Sequence, residues 1–260
     1  MKNILLLGVI LAVTFGAAFA DLGDVVASFP SPYPSPNALA HANNATQMWL
    51  YSNHNTSGRR IFLVHHATGS VYSSFPSYCG TYTQGLTYED PGYLWVGNYS
   101  TRRVYRCRSA GGSLLYSWAA NHAVSGLALK ARGDGGVNQD GIFVNGGAGR
   151  TTWRHRPSDG SIISSFTYTP ALYGDLAWDW RNNLVWGGDA NTNYVYGCTT
   201  GGTVMASFRS PATNPQGMCY YGQYLWVGTN SSPYYVYQVH CPNNLAVAPA
   251  SLGRVKALFK

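Results

Sequence analysis

The acidic side chains are the residues of this chain that could carry out acid–base chemistry. Hydrolysis of a glycosidic bond ordinarily uses two carboxyl groups that flank the scissile bond. The chain has a single glutamate, Glu89, and no carboxylate lies between Asp24 and Glu89. The acidic residues expected at strand ends are Glu89, Asp175, Asp179 and Asp189. We therefore predict a protein that is not an enzyme and has no catalytic residues. The alternative is an extracellular hydrolase or lyase acting on carbohydrate.

The histidines and cysteines show no spacing that is typical of a metal site. We expect His41 to line a pore, and we predict neither a metal nor a cofactor. Five cysteines cannot all pair, and burial as small apolar residues is their expected state. The alternative pairs are Cys79 with Cys107 and Cys198 with Cys219.

A sequence pattern recurs along most of the chain, so a repeated structural unit must position these side chains. The clearest repeated piece is a strand that ends in an aromatic residue. These final aromatics are Phe29, Phe75, Trp118, Phe166 and Phe208, at spacings of 42 to 48 residues. Periods of this length are typical of β-propeller blades.

Three further strands recur between these aromatic-ending strands. The first is small and apolar, the second carries a tryptophan in four repeats, and the third is joined to the aromatic-ending strand by a tight glycine turn. Four antiparallel strands per period form one propeller blade. The tryptophans are Trp49, Trp95, Trp186 and Trp226, and we expect them to pack between blades rather than to bind a ligand.

The order of the repeated strands predicts how the ring closes. An aromatic-ending strand at residues 25–29 precedes all the others, and none follows the last third strand, at residues 236–240. We predict an all-β fold, a five-bladed β-propeller of four-stranded antiparallel blades over residues 21–244. The N-terminal strand would complete the fifth blade, so that no sheet edge stays open.

The segment Tyr93–Asn98, which reads Tyr-Leu-Trp-Val-Gly-Asn, and the Val-Tyr pair at 104–105 resemble the blade pattern of the YVTN and NHL repeat proteins. These are secreted bacterial β-propeller repeat proteins, and the resemblance extends over residues 25–241. It implies a propeller fold. It does not imply one activity, since members of such a widespread fold bind, scaffold or catalyse without sharing a site.

One face of the predicted propeller combines proline- and tyrosine-rich loops with polar strand ends. This face holds the loops before each first strand and those between second and third strands, and it is the usual ligand side in similar propellers. The candidate ligand-binding residues are Tyr33, Asn53, Tyr78, Tyr82, Asn98, Arg102, Arg150, Tyr168, Asp189, Asn191 and Asn230. Rigid rings beside polar groups suit a glycan or a peptide. Loops that merely pack on one another are the alternative.

The two ends of the chain carry their own patterns. Lys2 and the apolar run Ile4–Phe15 predict a secretory signal peptide over residues 1–20, with cleavage after Ala20. No later apolar run is long enough to cross a bilayer, so we expect a secreted protein, extracellular or at the cell surface, with no transmembrane segment. Apolar residues at helical spacing predict a short amphipathic tail over 245–260, which either docks elsewhere or patches the propeller.

Composition and charge exclude other classes of protein. Only 10% of the residues are charged and 14% are aromatic, whereas disordered chains are rich in charge and poor in aromatic residues. The predicted propeller carries 13 basic and 10 acidic residues. Because the basic residues are scattered rather than clustered, nucleic acid is not an expected partner.

Together these patterns predict an exported, non-enzymatic propeller that acts as an interaction or structural module. Its expected partner is a glycan or an extracellular protein. We also expect self-association through the N-terminal strand or the C-terminal tail, a head-to-tail contact that generates filaments when it does not close into a ring.

Overall fold

The computed structural model of this chain describes residues 21–44, 46–52, 59–80, 82–131, 139–147, 150–211, 213–242 and 245. The predicted signal peptide, Asn53 and residues 246–260 of the predicted tail lie outside the described residues. The described part forms five four-stranded antiparallel sheets. Within it, no helix has the length and apolar character needed to cross a membrane.

Each sheet is one blade, with its first strand nearest the axis of the ring. Blade 1 contains β2 (Pro36–His41), β3 (Gln47–Ser52), β4 (Arg60–His65) and β5 (Val71–Pro76); blade 2 contains β6 (Thr83–Glu89), β7 (Tyr93–Asn98), β8 (Arg103–Arg108) and β9 (Leu114–Ala119). Blade 3 contains β10 (Gly126–Ala131), β11 (Gln139–Asn145), β12 (Thr151–His155) and β13 (Ile162–Thr167); blade 4 contains β14 (Tyr173–Asp179), β15 (Leu184–Asp189), β16 (Tyr194–Thr199) and β17 (Val204–Arg209). Blade 5 contains β18 (Pro215–Tyr221), β19 (Tyr224–Thr229), β20 (Tyr235–His240) and β1 (Val25–Pro30).

Blade 5 is assembled from both ends of the propeller sequence. Strand β1 pairs antiparallel with β20, and Phe29 lies opposite Val236. The five-bladed fold and its closure by the N-terminal strand are therefore confirmed. Closure of the ring covers the strand edges that an open array would expose.

The apolar core is divided into five clusters, one between each pair of neighbouring blades. Trp95 of blade 2, for example, is fully buried against Leu127 and Ile142 of blade 3. The same position is occupied by Trp49, Trp186 and Trp226 in blades 1, 4 and 5 and by Phe143 in blade 3. The predicted packing of the tryptophans between blades is confirmed.

The glycine turns between third and fourth strands also contact the preceding blade. Gly160 has a φ of 74°, and a Cβ atom placed there would lie 2.5 Å from the Trp118 ring of blade 2. Both the positive φ and the close ring require a residue without a side chain. The turn therefore covers an aromatic residue of the neighbouring blade.

The first strands of the five blades begin in close backbone contact around the axis. A Cβ atom on Gly174 would lie 2.6 Å from the Gln216 carbonyl oxygen, and one on Gly85 would lie 2.9 Å from the Leu127 nitrogen. We call this end, with the loops before the first strands, the narrow face. The opposite end, with the loops that follow the first strands, is the wide face.

Candidate functional site

Asp175 occupies the axis at the narrow face. Its Oδ2 accepts the N–H of Leu39 at 3.0 Å, and its Oδ1 accepts the N–H groups of Leu127 and Leu86 at 2.9 and 3.3 Å. One carboxyl group thus joins blade 4 to blades 1, 2 and 3. Complete burial raises the pKa of Asp175 well above its usual value, while the backbone N–H groups oppose that shift.

An irregularity in β14 explains why only blade 4 supplies this group. Tyr173 of β14 pairs with Gly188 of β15, and Leu176 pairs with the adjacent Gly187. Two residues of β14, Gly174 and Asp175, are therefore inserted between these pairs. The first strands of blades 1, 2 and 5 have only one inserted residue at the same place. A bulge re-aims the side chains around it, and here the extra residue is the axial Asp175.

A channel opens along the axis from the wide face. Its volume is about 60 Å³, and its deepest lining includes Leu39, Leu86 and Leu176. A single water needs about 10–15 Å³ by the same measure. The channel therefore admits a small chemical group, while a larger ligand must lie across its mouth.

Aromatic and polar side chains surround the mouth of this channel, and we call them the aromatic rim. The rim consists of His41, Asn43, Tyr88, Trp178, Trp180, Tyr220 and Tyr221. Its members belong to the ends of the first strands of blades 1, 2, 4 and 5 or to the loops that follow them. Trp180 is 37% exposed, and the guanidinium of Arg181 lies 5.0 Å from its ring centroid.

His41 is held in a fixed neutral state within the rim. Its ring stacks on Tyr221, with centroids 3.8 Å apart and an interplanar angle of 5°. Its Nδ1 accepts the N–H of Asn43 at 3.2 Å, which places the ring proton on Nε2, 3.4 Å from Nδ1 of His66. Burial lowers the pKa of His41 to about 3, and His66 acts in the same direction. The rim therefore gains no charge from His41 near neutral pH.

Asp90 is a carboxylate beside the mouth of the channel. Its Oδ1 accepts the hydroxyl of Tyr88 at 3.3 Å, and its Oδ2 accepts the amide of Asn43. The N–H of Gly92 donates to the Tyr88 oxygen at 3.1 Å. Burial raises the pKa of Tyr88. These bonds fix the Tyr88 ring at the rim.

Two other carboxylates near the wide face are bonded inside the blades. Glu89 accepts the indole N–H of Trp95 at 2.6 Å and the Nε–H of Arg106 at 2.9 Å. Asp179 accepts the indole N–H of Trp186 at 3.3 Å and the amide of Asn182 at 2.7 Å. Both carboxylates end a first strand, as the sequence predicted, and both stabilise the packing of a tryptophan.

Apart from Asn53, which lies outside the described residues, the sequence-predicted ligand residues lie on the narrow face, and several are exposed there. The exposed ones are Tyr33, Tyr78, Tyr82, Arg102, Arg150 and Asn191, and Asn230 is half-buried. Tyr33 stacks on Phe62, with centroids 4.5 Å apart. None of these side chains lines the axial channel. A ligand at this face stays a prediction.

Three of the predicted ligand residues are buried in loop contacts. Asn98 donates to the Cys79 carbonyl oxygen and accepts the N–H of Thr101. Tyr168 donates to Oδ1 of Asn145 at 3.2 Å. Asp189, in the same way, accepts the N–H of Asn191 at 2.9 Å. Within the described residues, all three therefore hold the shape of the narrow-face loops.

The cysteines remain free thiols. All five are buried, and none is in a disulfide, so the alternative pairs Cys79 with Cys107 and Cys198 with Cys219 are not formed. Burial raises the pKa of Cys79, Cys107 and Cys198 to about 12, which disfavours the reactive thiolate. In the parts of the chain that the structure describes, no three His, Cys, Asp or Glu residues are arranged to hold a metal ion.

The sequence reasoning missed the aromatic rim. Tyr88, Trp178, Tyr220 and His41 occupy one repeat position, the third residue counted from Leu86, Leu176, Met218 and Leu39 respectively. An alignment of the first strands by that apolar residue reveals a recurring ring at this position. The signal was present, but the four residues are of three types and no single motif marks them.

Comparison with known proteins identifies a fold and no family. No family model matches the chain, and no curated protein matches its sequence. The solved structure of Myxococcus xanthus glutaminyl cyclase is similar, with a TM-score of 0.65 and 11% identity over 84% of this chain and 95% of that chain. A chain of a mitotic checkpoint complex matches with a TM-score of 0.49 and 14% identity, over 78% of this chain and 60% of that chain. At such low identity the first likeness establishes the β-propeller class alone.

Proposed function

We propose that this chain is an exported β-propeller that binds a glycan across the aromatic rim of the wide face. The main support for this proposal is the set of aromatic rings around the channel mouth, together with the neutral polar groups of His41 and Asn43. Aromatic faces accommodate the apolar faces of sugar rings, and a few polar groups fix their orientation. The small channel suits one substituent of the sugar.

The bonding of the carboxylates supports binding rather than catalysis. Glu89 and Asp179 are engaged with tryptophans of their own blades, and Asp175 is engaged with backbone N–H groups at the narrow face. A glycosidase ordinarily needs two carboxyl groups on either side of the scissile bond. Asp90, which accepts the Tyr88 hydroxyl, lies beside the channel mouth.

Export and assembly are part of the same proposal. Export rests on the predicted signal peptide over residues 1–20. Self-association through the predicted tail leaves the ring intact, whereas use of the N-terminal strand would require β1 to leave β20 of its own chain. We therefore favour the tail as the contact that builds a filament.

A glycan array followed by titration tests the proposed binding. Trp180→Ala removes a rim ring and should weaken the affinity for the best glycan about two- to twelvefold, since aromatic contacts are worth about 0.5–1.5 kcal/mol beyond their buried area. Tyr78→Ala is the matched change on the narrow face and should leave affinity unchanged. The reverse pattern would place the ligand on the face predicted from sequence.

The alternative function is a hydrolase or lyase acting on carbohydrate. The Tyr88–Asp90 hydrogen bond favours it, because a phenol paired with a carboxylate beside a cavity is a candidate for acid–base chemistry. The similar Myxococcus xanthus structure is a glutaminyl cyclase, so a glutaminyl substrate is assayed beside carbohydrates. Turnover that disappears in Asp90→Asn would support an enzyme. No turnover of either substrate class would reject it.

A further inference from the structure

Blade 3 carries a histidine at a core position of the repeat. His155 is 1% exposed at the end of β12, where it pairs with Ile142 of β11. The other four blades place a buried valine or cysteine at this position, namely Val64, Cys107, Cys198 and Val239. Packing at this position does not require an imidazole, so the histidine of blade 3 calls for an explanation of its own.

A second histidine faces His155 across the contact between blades 2 and 3. His122 lies in the loop between β9 and β10, and its Nε2 is 3.0 Å from Nε2 of His155. The His122 ring stacks on Trp153, with centroids 3.7 Å apart and an interplanar angle of 13°, and the His155 ring stacks on Trp118. Each imidazole is thus held against an indole. The two histidines are 33 residues apart in the sequence, so no ligand spacing marked them there.

The Nδ1 atom of each ring determines where the ring proton lies. Nδ1 of His122 is 2.8 Å from the Ala123 carbonyl oxygen, and Nδ1 of His155 is 2.7 Å from the Gly160 carbonyl oxygen. Because a carbonyl oxygen can only accept, both Nδ1 atoms carry a proton and donate it. In the neutral rings the two Nε2 atoms are then unprotonated, and their lone pairs face each other at 3.0 Å. This contact is repulsive unless a cation joins the two atoms.

The histidine pair beside the aromatic rim has no such conflict. His41 accepts the N–H of Asn43 at Nδ1, so its Nε2 carries a proton toward Nδ1 of His66. Each contact of that pair therefore has its own proton. The pair of His122 and His155 makes three contacts of this kind, but two neutral rings supply only two protons.

We propose that the Nε2 atoms of His122 and His155 bind a divalent transition-metal ion, with Cu²⁺ preferred. Bonds from a metal to imidazole are about 2.0–2.1 Å long, so nitrogen atoms at this separation subtend an angle of about 90–100° at the metal. That angle suits two neighbouring positions of a tetragonal ion such as Cu²⁺ or Ni²⁺. Among the divalent ions of this series, Cu²⁺ binds such sites most tightly. Water supplies the remaining ligands.

The surroundings of the two rings are those of metal ligands. A histidine that binds a metal almost always donates its other ring N–H to an oxygen acceptor, which fixes the ring and its tautomer. Both histidines do so, to the carbonyl groups of Ala123 and Gly160. Burial lowers the pKa of both imidazoles, so protons compete little for Nε2 near neutral pH. Two protein ligands are fewer than the three or four of zinc sites, and a chelator should therefore remove the ion.

Titration of the chelator-treated protein with Cu²⁺ tests the site, with electron paramagnetic resonance as the readout. The wild-type protein should bind one Cu²⁺ whose spectrum shows coupling to two imidazole nitrogens. His155→Val introduces the residue that blades 1 and 5 carry at this position, as Val64 and Val239, and should keep the fold. It should remove one coupled nitrogen and weaken Cu²⁺ binding at least about tenfold, since loss of even the partner that orients a metal ligand costs about 10–100-fold.

Two further variants make the test independent of a core substitution. His122→Gln changes a half-buried loop residue and should cause the same loss as His155→Val. His66→Gln is the matched control, because it removes one histidine of the pair in which each contact already has a proton. It should leave the affinity for Cu²⁺ and the two-nitrogen spectrum unchanged. Circular dichroism checks the fold of each variant.

The outcomes separate this site from the proposed glycan binding, because neither histidine belongs to the aromatic rim. Wild-type protein that binds Cu²⁺ no more tightly than His155→Val and His122→Gln would overturn the metal site. A two-nitrogen spectrum that disappears only in His66→Gln would overturn it as well. The result of the glycan array bears on neither outcome.

Discussion

The two ends of the propeller axis are formed by the same five strands but are built differently. At the narrow face, glycines such as Gly85 and Gly174 let neighbouring backbones touch, and Asp175 bonds to three other blades. At the wide face, large side chains such as Tyr88 and Trp178 surround an open channel. The narrow face therefore stabilises the ring, whereas the wide face has room for a ligand.

The largest expected effect comes from removing the axial carboxylate. Asp175→Ala leaves the N–H groups of Leu39, Leu86 and Leu127 buried without their acceptor. At about 1–3 kcal/mol for each unsatisfied group, the free energy of unfolding should fall by about 3 kcal/mol or more. Denaturant unfolding measures the change, and Asp175→Asn, which keeps one acceptor oxygen, should lose less. If the Asp175→Ala variant unfolded at the same denaturant midpoint as the wild type, the stabilising role of Asp175 would be contradicted.

A smaller loss is expected when the narrow face is overfilled. A Cβ atom on Gly126 would overlap the Gly174 carbonyl oxygen, which belongs to backbone and cannot rotate away. Gly126→Ala should therefore destabilise the protein by about 1–3 kcal/mol, as overpacking does elsewhere. Gly201→Ala is the control, since its Cβ would meet only Oγ1 of Thr199, at 3.6 Å. Equal stability of the two variants would contradict close backbone contact at the narrow face.

The third effect concerns pH and the wide face. The pKa of His41 is about 3 in the folded protein and about 6.5 when unfolded, because burial disfavours the charged ring. The unfolded chain binds the extra proton, so stability is complete above pH 6.5 and falls as the pH drops toward 3. The slope from this group is at most about 1.4 kcal/mol per pH unit. Unfolding measured between pH 7 and 5 should show a shallower slope in His41→Gln, and parallel profiles would count against a buried neutral His41.

Fold and site differ in how far the sequence predicts them. The repeated aromatic residues, such as Phe75 and Trp95, pack against the adjacent blade. Their role in packing can therefore be predicted from the repeat in the sequence. Asp175 acts through Leu39, 136 residues away, and occurs once, in a bulge that no repeat average would contain. The rim was missed because its residues share a position but not a type. The repeat in the sequence therefore predicts the fold, but it does not predict Asp175 or the aromatic rim, whose residue types are not repeated from blade to blade.

A structure of the propeller bound to its best glycan from the array tests the central claim most directly. We predict a sugar packed on Trp180 and Tyr221 at the wide face, with one substituent in the axial channel. A sugar bound instead at Tyr78 and Tyr82 on the narrow face, with the rim empty, would contradict it.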